Sequence, residues 1–146
     1  MPELPEVETV KTYVHERVLH KKIKNIKVLD EKLRWPIDTK KIGNSKSKTI
    51  KQVTRRGKYI LLQFDEPMLT IVIHLGMTGI IYFRKISEYK KRKHDHLVLY
   101  FDEYVLVYND VRKFGSIHVT NEPVSYTHLR AHETPEHLVC RLLLEK

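Results

Sequence analysis

Cysteine is almost absent from this chain of 146 residues. Cys140 is the single one, and no Cys-x-x-Cys pair occurs. One thiol cannot close an internal disulfide, so a disulfide-stapled secreted fold is excluded and a reducing compartment is allowed. No apolar run approaches the ~20 residues that span a bilayer, and no segment has the order of a signal peptide. Secretion and membrane spanning are therefore not expected, and a cytoplasmic protein is. Acid is scarce beside base: 18 Asp and Glu stand against 27 Lys and Arg, a formal net charge of +9. That excess favours a polyanionic partner such as nucleic acid, although a generally basic protein would carry it as well.

The last segment departs from the rest. Residues 124–134 read VSYTHLRAHET and residues 138–146 read LVCRLLLEK. Both strings are translations of a common transposon-type sequencing adaptor, with Pro135, Glu136 and His137 where a variable index falls. The expectation is that 124–146 is translated adaptor; finding its codons in intact genomic DNA would contradict this. Cys140, His128, His132 and His137 invite a zinc reading, but their spacing is then the adaptor's. The amphipathic pattern over 135–144 is then accidental. The tail's three cations (Arg130, Arg141, Lys146) cancel its three acids (Glu133, Glu136, Glu145), so residues 1–123 carry the whole +9. By length those residues form one domain able to bury a core.

Residues 6–19 predict a helix, with Val7, Val10, Val14 and Val18 in a stripe at spacings of three and four. Acids crowd its start, and Arg17, His20 and Lys21 lie at its end, as the macrodipole favours. Beyond it the pattern turns to strand. Residues 22–29 alternate partly, 33–36 read as a turn, and 40–47 are polar with Gly43-Asn44 as a breaker. Short strands are predicted at 49–54, 59–64, 69–75, 80–84, 96–101, 105–109 and 116–120. Gly57, Asp65-Glu66-Pro67, Gly76, Gly79 and Asp102-Glu103 punctuate them. Residues 87–93 read as a basic loop. Many short strands with tight breaks indicate an antiparallel sandwich or barrel.

Several residues could carry chemistry. If Met1 is removed, Pro2 presents a secondary α-amine, and such amines titrate near pH 8. An unprotonated amine attacks an aldehyde-like carbon and forms an iminium, with Glu3 beside it to move protons. Equally, Pro5 and the neighbouring acids start a helix. Lys58, in Arg55-Arg56-Gly57-Lys58-Tyr59, suits a phosphate or a solvated strand end. Met77 lies between Gly76 and Gly79, as a wedge into a base stack or as core. Phe114 presents the same choice, and Arg112 can hold an orphaned base or be a surface cation. His94 alone is a routine loop histidine. Asp95 and His96 beside it suggest a metal pair only weakly.

These segments resemble one family in order. PELPEVET at 2–9, LRWP at 33–36, RRGKY at 55–59, HLGMTG at 74–79, KHDH at 93–96 and DVRKFG at 110–115 are similar to formamidopyrimidine-DNA glycosylase, a bacterial base-excision repair enzyme. The resemblance runs from Pro2 to about Asn121. It implies a mainly β fold with flanking helices, a two-sheet antiparallel β-sandwich with an N-terminal α-helix. It implies Pro2 as nucleophile, Glu3 as proton donor, and Lys58 as phosphate contact and proton-transfer group. It implies DNA contact by His74, Met77, His94, Arg112 and Phe114, with Met77 filling the gap left by a flipped nucleotide. The partner it implies is double-stranded DNA with an oxidised purine or an abasic site, bound by a nucleoid-associated monomer.

The resemblance implies no metal or cofactor in the chemistry. Zinc is expected only in a second, C-terminal domain with a helix–two-turn–helix element and a four-cysteine finger, neither of which is here. Residues 1–123 are therefore expected to bind DNA weakly and to excise bases poorly. A non-catalytic nucleic-acid-binding module and an oxidised-pyrimidine glycosylase of the same superfamily are the alternatives.

Overall fold

The computed structural model describes residues 4–65 and 69–120. Helix α1 runs over Leu4–Val18, starting two residues before the predicted bound. Pro5 fits its first turn, where no amide is needed. Val7, Val14 and Val18 are buried along one stripe. His20, in the left-handed region at φ 65°, follows its end, where such a residue turns the chain away from the helix.

Among the described residues eight strands follow. They are β1 (Asn25–Val28), β2 (Ile50–Arg56), β3 (Tyr59–Phe64), β4 (Thr70–His74), β5 (Gly79–Lys85), β6 (Asp95–Tyr100), β7 (Tyr104–Asp110) and β8 (Ser116–Thr120). They form two four-stranded sheets, in the orders β1-β6-β7-β5 and β2-β3-β4-β8. Every pairing is antiparallel. The architecture expected from the sequence, two antiparallel sheets with an N-terminal helix, is the one observed.

Alternation places the core between the sheets. Ile60, Leu62 and Phe64 of β3 and Ile71 and Ile73 of β4 belong to one buried cluster with Leu97, Leu99, Leu106 and Tyr108 of the other sheet. Truncating a fully buried member such as Leu62→Ala typically costs about 2–5 kcal/mol. The helix ties to both sheets. Tyr13 meets Phe83 of β5 edge to face at 5.2 Å, the Tyr104 hydroxyl donates to the Arg17 carbonyl, and Glu8 pairs with Arg55 of β2 at 2.7 Å.

Two local expectations are corrected. The strand predicted over 22–29 shrinks to β1, because the chain changes partner there. Lys22 bridges to Thr49 beside one sheet, and only Asn25–Val28 pairs with β6 of the other. The polar stretch predicted over 40–47 holds a short helix, α2 (Thr39–Gly43). The Asp38 carboxylate caps it, accepting from the amides of Lys40 and Lys41. A 3-10 turn (Ile86–Glu88) opens the stretch predicted as a basic loop. Among the described residues no helix is long and apolar enough to cross a membrane.

Candidate nucleic-acid interface

The segments singled out in the sequence converge at one end of the sandwich, where β4, β7 and the β2–β3 hairpin terminate. Two loops form its centre: 75–78, between β4 and β5, and 111–115, between β7 and β8. Their backbones nearly touch. Gly76 has φ 64°, and a Cβ there would lie 2.5 Å from the Gly115 amide nitrogen. A Cβ on Gly115 would lie 1.9 Å from the Tyr108 hydroxyl. No larger residue fits either position without moving backbone.

Asp110 knits these loops together. It is fully buried. Its Oδ1 accepts from the Thr78 hydroxyl at 2.7 Å and the Lys113 amide at 3.0 Å. Its Oδ2 accepts from the Tyr108 hydroxyl and the Gly115 amide, both at 2.9 Å. The Arg112 amide then donates to the Thr78 hydroxyl at 2.9 Å, so Thr78 passes the restraint from one loop to the other. Burial, followed by the nearby Asp110 charge, pushes the Tyr108 phenol far above its ordinary value and keeps it a donor. Lys113 occupies the left-handed region at φ 62°, a costly conformation for a side-chain-bearing residue.

This frame presents apolar side chains to solvent. Met77 is 46% exposed, Phe114 46% and Val111 53%. The exposed Arg112 guanidinium lies 5.3 Å from the Phe114 ring centroid, a cation–π arrangement. Neither Met77 nor Phe114 is core. An exposed apolar cluster beside a cation on rigid loops is chemically fitted to enter a base stack and hold a base edge.

His74 is half-buried. Its Nδ1 accepts from the Gly76 amide at 3.0 Å, and its ring meets Tyr59 at 4.8 Å. Burial first, then the Lys58 and Arg34 charges, lower its pKa and hold it neutral at pH 7. Lys58 follows Gly57, at φ 59° in the β2–β3 turn. Arg55, in the same hairpin, donates to the Gly57 carbonyl at 2.9 Å and to Glu8 at 2.7 Å. The start of α1 is thereby tied to the turn that carries Lys58. Pro2 and Glu3 lie outside the described residues.

His94 adjoins the same frame. Its carbonyl accepts from the Asp110 amide at 3.1 Å, and it too sits in the left-handed region, at φ 72°. Beside it, Asp95 accepts from Tyr82, Tyr89, Asn109 and the Arg92 amide, at 2.8–2.9 Å. Burial alone would raise the Asp95 carboxyl, but these hydrogen bonds outweigh it and hold the group below its ordinary value. Burial and Asp95 push the Tyr82 phenol up to about 12. Both His96 ring nitrogens lie on carbonyl oxygens, those of Asp30 at 2.9 Å and Asp110 at 3.0 Å. Asp95 and His96 are thus committed to the fold, which removes the reason to read them as metal ligands.

The sequence reading missed Asp110, Thr78 and Tyr108 as the residues that hold the interface. Asp110 opens the DVRKFG segment, and a carboxylate at a strand end before a turn is the one signal that could have marked it.

Comparison with known proteins follows the same residues. Residues 1–117 match the family model for the formamidopyrimidine-DNA glycosylase N-terminal domain. A formamidopyrimidine-DNA glycosylase of Ligilactobacillus salivarius is 48% identical over 116 residues, covering 79% of this chain and 41% of that protein. The Lactococcus lactis enzyme bound non-covalently to DNA containing an AP site superposes with a TM-score of 0.73 at 32% identity, over 81% of this chain and 45% of that one. The same enzyme in complex with DNA containing FAPY-dG gives 0.74 at 32% identity, over 81% and 44%. The chain spans half or less of the length of the curated relatives it matches.

Proposed function

This chain belongs to the formamidopyrimidine-DNA glycosylase family through that family's N-terminal domain, and on that footing we propose that it is the damage-reading and nucleophile-bearing part of a base-excision repair glycosylase and AP lyase. The substrate is duplex DNA carrying an oxidised purine or an abasic site. The observation that carries this reading is the exposed Met77–Arg112–Phe114 cluster on two loops locked by Asp110.

In the proposed reaction the lesion nucleotide leaves the stack, and Met77, Phe114 and Arg112 occupy the gap and hold the orphaned base. The Pro2 nitrogen lone pair attacks C1′, the C1′–N bond breaks, and the base leaves with its electron pair and a proton. Glu3 supplies a proton for the sugar chemistry. As the C1′–O4′ bond breaks, O4′ takes up that proton and the ring opens to an iminium on C1′, which acidifies the C2′ proton. Loss of that proton expels the 3′ phosphate, and a second elimination expels the 5′ phosphate. Lys58 contacts a phosphate and takes part in proton transfer, while His74 and His94 contact DNA. No cofactor enters these steps. We also propose that residues 124–146 are translated adaptor, which long-read sequencing of the source locus tests.

Borohydride reduction in the presence of abasic duplex tests the chemistry. A chain with a free Pro2 amine should form a covalent protein–DNA adduct, and a chain with an acetylated terminus should not. Equal adduct from both would move the nucleophile elsewhere. Lesion-selective binding without any adduct would favour the non-catalytic reading.

A further inference from the structure

The end of the sandwich opposite Met77 is closed by a basic ribbon. Segment 20–24 (HKKIK) runs antiparallel to segment 46–51 (KSKTIK). His20 donates to the Ile50 carbonyl at 2.7 Å, and the Ile50 amide to the Lys21 carbonyl at 2.9 Å. The Ile23 amide donates to the Lys48 carbonyl at 3.0 Å, and the Ser47 amide to the Ile23 carbonyl at 2.7 Å. Lys22 and Thr49 form the bridge between them. Ile23 and Ile50 are fully buried and anchor the ribbon to the core. Around them His20, Lys21, Lys22, Lys24, Lys46 and Lys51 are all exposed.

Neither segment contains an acid. Asp102 pairs with Lys24 at 3.4 Å from a neighbouring turn. Like charges gathered on one surface repel, and the backbone ladder would form as well with neutral polar residues. Lysine concentrated this far beyond the acids of its own segments matches a polyanion better than it serves the fold. A two-stranded ribbon bearing exposed cations suits a nucleic-acid backbone, to which lysine contributes point charge without base readout. An anionic membrane suits it less. The exposed large apolar residues among those described are Leu4, Met77, Ile80, Ile86, Val111 and Phe114, and none lies on the ribbon to anchor it in lipid.

Strand β2 begins in the ribbon and ends at the Lys58 turn, its seven residues spanning about 20 Å at the usual strand rise. A duplex seated on Met77 and Phe114 is engaged at the other end. We propose that the ribbon binds the backbone of a second segment of duplex DNA, so that the chain can hold one segment at its damage-reading end and another at its far end. Only the first half of that arrangement rests on the proposed function; the ribbon's own affinity does not.

The test separates the two. On a Met77→Ala/Arg112→Ala background of the 146-residue chain, affinity for undamaged duplex is read by fluorescence anisotropy across a salt series. Adding Lys21→Gln, Lys22→Gln, Lys46→Gln and Lys51→Gln should weaken binding at low salt by about tenfold or more and lower the log K against log salt slope by about 2 or more. Arginine at the same four positions should preserve both. Unchanged affinity and slope in the glutamine variant would overturn the proposal. So would tighter binding of the background chain to phosphatidylserine vesicles than to duplex. Loss of lesion preference in the parent chain would count against the proposed function and leave this readout intact.

Discussion

The two ends of the sandwich hold charge and shape in opposite ways. At the Met77 end, a buried carboxylate takes three hydrogen bonds from two loops and a fourth from Tyr108 of β7, and two glycines let backbones meet. At the far end, lysines stand on a plain main-chain ladder over two buried isoleucines. The first end fixes the backbone that carries its exposed side chains. The second fixes only where positive charge is concentrated. Reading a base requires defined geometry, whereas attracting a phosphate backbone does not. Hydrogen bonding thus distinguishes the two proposed tasks better than charge does.

Removing the carboxylate should break this contrast most strongly. Asp110→Ala leaves four donors without their acceptor in a buried site, at a cost of about 3 kcal/mol or more. A urea midpoint unchanged from the parent would mean the loops are held by something else. Gly115→Ala should come next, at about 1–3 kcal/mol, because the added methyl overlaps the Tyr108 hydroxyl. Full stability there would show that Gly115 does not pack against Tyr108.

The Asp95 hub sharpens the comparison, since it anchors the His94 side of the same end. Tyr89→Phe removes one of its donors and should cost about 1 kcal/mol. Because the Asp95 pKa is lowered in the fold, the unfolded state binds its proton first as pH falls. The hub's contribution is therefore complete above the ordinary value near 3.8 and is lost as pH falls through the folded value. Acid unfolding monitored by circular dichroism should shift to higher pH in Tyr89→Phe, and an unshifted curve would remove the hub from the account. The smallest effect belongs to the far end. Lys21→Gln/Lys22→Gln should change stability by no more than about 0.5 kcal/mol, and a larger loss would mean the lysines serve the fold.

Much of the fold was legible because turn residues bracket each strand. β3 and β8 fall on their predicted bounds, and β4, β5 and β7 lie within two residues of theirs. α2 was not legible, since five residues with one buried side chain, Ile42, carry no periodicity. β1 was read too long because a change of sheet partner at residue 24 leaves no mark in a pattern of alternating isoleucine and lysine. At the interface, Met77, Arg112 and Phe114 stood out by residue type in glycine-flanked segments. What holds them did not: Thr78 and Asp110 are 32 positions apart, and no local pattern connects them.

The central claim is that the locked Met77–Arg112–Phe114 cluster recognises damaged duplex. Its most direct test is the affinity ratio between an oxidised-purine or abasic duplex and an undamaged one, measured at fixed salt for the parent and for Met77→Ala/Arg112→Ala/Phe114→Ala. The account predicts a clear preference for the damaged duplex in the parent that collapses toward unity in the triple variant. Undamaged affinity should fall far less. A preference that survives the triple substitution, or one that the parent never shows, would contradict it.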